Sequence, residues 1–71
     1  MRQYALVRHN KDMKDFYSGS GVFKKDPAMI FIFLGEIPNM LGHGIFIGRD
    51  SGKIYSGFHT DSFEEIPEDE V

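Results

Sequence analysis

Cysteine is absent from this chain of 71 residues, and so is tryptophan. No disulfide can staple the fold, and aromatic filling has to come from seven Phe and three Tyr. The lack of cysteine fits a reducing compartment. Long hydrophobic runs are missing too: the longest, Ala28-Met29-Ile30-Phe31-Ile32-Phe33-Leu34, is far below the roughly 20 residues a membrane helix needs. Met1-Arg2-Gln3-Tyr4 carries no signal-peptide hydrophobic stretch, so the expectation is a soluble, unexported, cytoplasmic protein without a membrane partner. Nor is there length for a second domain or a multi-step enzyme.

What is present is the composition of a folded chain, 41% hydrophobic and 27% charged. A core of this size rarely supplies more than about 3–5 kcal/mol, which makes support from a partner chain, a second copy included, a natural expectation. The net charge of −3 is unevenly distributed. All eight Lys and Arg fall in residues 1–60 against five acids, whereas residues 61–71 hold six acids and no base. Residues 67–71 therefore read as an acidic tail after a domain spanning 1–66. Such a tail is solvated and loosely ordered, or masks a site for a polyanion.

Strand signals dominate the chain. Tyr4-Ala5-Leu6-Val7-Arg8 reads as a first strand, and Asn10 as the cap of a brief helical turn that lines up Met13, Phe16 and Tyr17. Residues 18–27 read as loop. The run 28–34 is β-branched and aromatic, lies between Pro27 and Gly35, and is the clearest strand. Being apolar at both parities, it has to be covered on both faces, by the 9–27 segment or by a second chain. Pro38-Asn39 marks a turn. Residues 42–49 and 53–58 form a hairpin through Asp50-Ser51-Gly52, which predicts pairing of Arg49 with Lys53, Ile47 with Tyr55, Phe46 with Ser56, Gly44 with Phe58 and His43 with His59. A turn at Thr60-Asp61-Ser62 and a short strand at Phe63-Glu64-Glu65-Ile66 complete a mainly β layout of about five antiparallel strands, a small closed or half-open barrel.

This layout resembles the Src-homology-3-like (SH3-like) barrel over nearly the whole chain. Tyr4-Ala5-Leu6-Val7 looks like its first strand, 9–27 like the long loop after it, Arg49-Asp50-Ser51-Gly52-Lys53 like the distal hairpin, and Thr60-Asp61-Ser62 like the single-turn helix. The segment 54–66 is also similar to the end of the peripheral photosystem I subunit of this fold, through the spacing of its Tyr, Gly, Thr and Phe. Peptide-binding members place a Trp where Gly42-His43 stands and a Pro and Tyr in the single-turn helix, where this chain has Asp61-Ser62. The resemblance therefore implies the fold alone.

Sites are sparse. His43 and His59, paired across strands with Asp61 two residues on, suit a transition metal such as zinc, a proton switch below about pH 6.5, or simply two half-buried polar residues. Gly48-Arg49-Asp50-Ser51-Gly52-Lys53-Ile54 has the wrong glycine spacing for a phosphate loop. No acid, base and nucleophile converge, so neither an enzyme nor a cofactor is expected. The expected function is a non-catalytic protein-interaction module, with a homodimer formed through the 28–34 strand as one version of it. Its partner surface is expected at Phe16, Tyr17, Phe23, Met40 and His59, since aromatic and Met side chains at loop tips form interfaces. The alternative is a nucleic-acid-binding regulator using Arg2, Arg8, Lys24 and Lys25.

Overall fold

The structure, a computed structural model, describes residues 1–10 and 28–70. The helical turn expected after Asn10 and the residues Phe16, Tyr17, Phe23, Lys24 and Lys25 lie outside them. Strands β1 (Leu6–His9), β2 (Ile30–Glu36), β3 (His43–Gly48), β4 (Ile54–His59) and β5 (Phe63–Glu65) make one antiparallel sheet in the order β4-β3-β2-β1-β5. A single 3-10 turn, Thr60–Ser62, joins β4 to β5, and another, Glu68–Glu70, follows.

The mainly β, five-stranded expectation holds, but the sheet is not closed into a barrel. β4 and β5 are its two edges. The turn at Thr60–Ser62 carries the chain from β4 to the free edge of β1, and a β5 of three residues offers too short a ladder to close on β4. Side chains close the gap instead. The sheet curls until the Phe46 ring of β3 stacks on Phe63 of β5, centroids 4.1 Å apart, and Phe58 of β4 reaches Phe63 at 5.9 Å. Among the described residues, Val7, Phe31, Phe33, Phe46, Phe63 and Ile66 are the buried hydrophobic ones, with Phe31 set edge-on to Phe46, Tyr55 and Phe63.

Alternation along β2 sends Phe31 and Phe33 into this core and leaves Ile30, Ile32 and Leu34 half-buried on the other face. Register adds neighbours to that second face. Leu6, Ile32, Ile47 and Ile54 stand opposite one another in turn, an aliphatic row across four strands whose last member is 64% exposed.

Strand starts differ slightly from expectation. Tyr4 adopts a positive φ of 68° and its N–H bonds the Phe33 carbonyl, so regular pairing of β1 begins only at Leu6. The β3–β4 hairpin departs more. The Arg49 N–H donates to the Ile30 carbonyl of β2, not to Lys53, and the last cross-strand bond runs from Gly48 N–H to the Lys53 carbonyl. The turn therefore holds four residues rather than three. Phe46 consequently faces Tyr55, not Ser56, and Ile47 faces Ile54, not Tyr55. An irregularity between Gly44 and Ile45, where Gly57 takes φ 92° and stays out of the ladder, adds one residue to β4. That extra residue restores the expected pairs Gly44–Phe58 and His43–His59.

Candidate functional site: the His43–His59 end of the sheet

The loop between β2 and β3 is built from two successive turns. The Met40 N–H donates to the Ile37 carbonyl with Asn39 at φ 67°, and the His43 N–H donates to the Met40 carbonyl with Gly42 at φ 82°. Both have the backbone sign of type II turns, which need Asn or Gly at the third position and suit Pro38 at the second. Leu41 occupies the outer corner of the second turn and is 93% exposed, with Met40 beside it at 44%. The loop is also tied to the rest of the fold. The Ile37 N–H reaches the His43 carbonyl at 2.9 Å, and Thr60 donates to the Gly42 carbonyl from its N–H and its hydroxyl. An apolar tip is thus held on a hydrogen-bonded base.

The histidine pair lies directly behind this tip. Because the Thr60 N–H bonds the carbonyl of Gly42, His43 and His59 form a non-hydrogen-bonded pair, the kind in which side chains come closest. Their ring centroids are 4.2 Å apart, tilted by 43°. His43 Nδ1 is 3.0 Å from the Gly57 carbonyl oxygen. A carbonyl only accepts, so Nδ1 carries the proton and the neutral ring keeps its lone pair on Nε2. The bulge supplies that acceptor: Gly57, left out of the ladder, turns its oxygen to the ring.

Asp61, expected beside the histidines, is not brought to them. A 3-10 turn rotates each successive side chain by about 120°, and Asp61 lines a hollow of about 440 Å³ with Glu36, Thr60 and Glu65. Among the described residues no three potential metal ligands form a group.

Arg2 and Arg8, the basic residues of the nucleic-acid reading that are described, are both engaged by carboxylates. Arg8 Nε bonds Glu64 at 3.0 Å across the β1–β5 pair, and its Nη1 bonds Glu70 at 3.1 Å. These bonds hold the guanidinium pKa above its usual value. The backbone N–H of Arg2 donates to Glu65, and its side chain lies 3.5 Å from Glu65 and 3.9 Å from Glu68. The N–H donation, helped by the Arg2 charge, lowers the Glu65 pKa. Glu64, Glu65, Glu68 and Glu70 thus fold back on the two arginines of the N-terminal segment.

His9, which carries no signal in the sequence, proves to be a core residue. Val7 and His9 share the inward face of β1, and His9 is only 6% exposed, its ring edge-on to Phe63. Burial disfavours its charged form and lowers its pKa below 6.5. On acidification the unfolded chain takes up this proton first. The contribution to stability is therefore complete above about pH 6.5 and lost as pH falls through the folded-state value. Urea midpoints should drop between pH 7.5 and 5.5, a window above the carboxylate range, and a His9→Leu variant should flatten that drop. An equal slope in the variant would assign the effect elsewhere.

Gly57 and Leu41 were also missed from the sequence, yet each has a signal. An isolated Gly inside a strand pattern marks a bulge, and Leu41 stands between the two turn residues Asn39 and Gly42. Among the described residues no helix is long and apolar enough to cross a membrane. No family model matches the chain, and no curated protein or solved structure matches it either.

Proposed function

We propose that the chain is a small non-catalytic protein-interaction module that works in the cytoplasm and engages its partner with the loop tip at Met40 and Leu41, flanked by His59. The carrying observation is the exposure of Leu41, 93%, on a loop fixed by five hydrogen bonds from Ile37, Met40, His43 and Thr60. A side chain presented on an already ordered turn binds without the ordering cost that a flexible loop incurs. The strand order, with a single 3-10 turn before the last strand, supports an Src-homology-3-like layout of the half-open kind. The same 3-10 turn bonds Gly42 through Thr60 and Asn10 through Ser62, so it ties the base of the tip to the residue that follows β1. The aliphatic row from Leu6 to Ile54 supports self-association, and a second copy is one partner this reading admits. A nucleic-acid role has less support, because Arg2 and Arg8 already face carboxylates.

The test is a photo-crosslinking residue at position 40, with and without Leu41→Asp. The variant should lose its cross-linked partner while its stability stays within about 0.5 kcal/mol of the parent, as befits an exposed site. Light scattering on the same samples reports whether that partner is another copy. Cross-linking that survives Leu41→Asp would remove the tip from the interface.

A further inference from the structure

We propose that His43 and His59 form a two-point clamp for a divalent transition-metal ion of the copper, nickel and zinc class, bound from solvent at the loop end of the sheet. This inference is independent of the partner reading, since nothing in it requires a second protein.

Three features carry it. First, the two rings come from a non-hydrogen-bonded cross-strand pair and are already in contact, with centroids 4.2 Å apart. Metal–nitrogen bonds of about 2.0–2.1 Å require the two donor nitrogens to lie about 3 Å apart, a separation on the scale of the 4.2 Å between the ring centroids. Second, the His43 Nδ1–H donates to the Gly57 carbonyl at 3.0 Å. A metal-ligating histidine is ordinarily held this way by its other nitrogen, which fixes the tautomer and raises the basicity of the ligating one. The bulge at Gly57, which otherwise only interrupts the ladder, places that carbonyl. Third, both rings are only half-buried, so an ion can arrive from water and keep water at its remaining positions.

The donor set also defines the ion. Two imidazoles without a carboxylate suit borderline cations and not Ca²⁺ or Mg²⁺, which want oxygen ligands. Affinity should follow the general order for nitrogen ligands, Cu²⁺ above Ni²⁺ and Zn²⁺.

Calorimetric titration of the full chain with CuCl2, ZnCl2 and CaCl2 tests the clamp. One equivalent of Cu²⁺ should bind more tightly than Zn²⁺, Ca²⁺ should not bind, and binding should weaken on acidification as protons compete for the rings. His59→Gln removes one of two linked donors and should weaken Cu²⁺ binding by about 100-fold or more, with the far-UV CD spectrum unchanged. Should that variant lose its fold, the parent decides: substoichiometric Cu²⁺ should broaden the ring-proton NMR signals of His43 and His59 before any others. Absence of binding, binding unaltered in folded His59→Gln, or broadening that starts elsewhere would mean an adventitious ion only and overturn the proposal.

Discussion

Phe46→Ala is expected to leave the chain largely unfolded at 25 °C. Its ring is fully buried, stacks on Phe63, and touches Phe31, Phe33 and Phe58. It is also the ring that bridges β3 and β5 across the open side of the sheet. Truncating a buried Phe to Ala costs about 3–5 kcal/mol. A core of this size supplies about 3–5 kcal/mol in total, so the loss is comparable with the whole stability. Far-UV CD should show the strand signal gone, or a urea midpoint close to zero. Phe46→Leu, which keeps most of the volume, should stay folded with a lower midpoint. A folded Phe46→Ala with a midpoint near the parent's would show that the bridge between β3 and β5 is not needed.

Gly44→Ala should produce the second largest loss, for the opposite reason. A Cβ at this position would stand 2.8 Å from Phe33 Cε1 and 3.2 Å from both Phe46 Cε1 and Thr60 Cγ2. Two core rings have to give way, and overpacking of this kind costs about 1–3 kcal/mol. In a domain of this length each kcal/mol lowers the melting temperature by about 4–8 °C. The clash also has a named partner. Phe33→Leu removes the ring edge that the added methyl group would strike, so the double variant should be more stable than the sum of the two single losses. Strict additivity would mean that the strain is relieved elsewhere.

Much of the fold was legible because the relevant signals are local. Each of the five strands falls within about two residues of its expected start, and Thr60–Ser62 forms the expected turn, since β-branched and aromatic runs between Gly, Pro and Asn act over a few residues. The hairpin register was legible only at its far end. One carbonyl, that of Ile30, draws Arg49 away from Lys53 and lengthens the turn, and Gly57 then compensates for the shift. Both effects depend on a third strand or on backbone conformation, which hairpin arithmetic does not include. The same holds for closure: whether β4 meets β5 is decided by the length of β5 and the stacking of Phe46 on Phe63, contacts between residues far apart in sequence. At the site, pairing placed His43 against His59 correctly. Asp61 was misplaced because strand alternation was extended into a 3-10 turn. The arginines were legible as charge, but their carboxylate partners come from the other end of the chain.

Gly57 has one more effect, on what the sheet does in a crowded solution. β4 is an edge, and its unpaired side would otherwise be a template on which another extended chain could add itself. A residue at φ 92° in the middle of that edge breaks the even spacing of donors and acceptors that an incoming strand has to match. The backbone distortion that aims a carbonyl at His43 thus also makes β4 a poorer template for an added strand, even though Ile54 leaves that strand apolar at its exposed start.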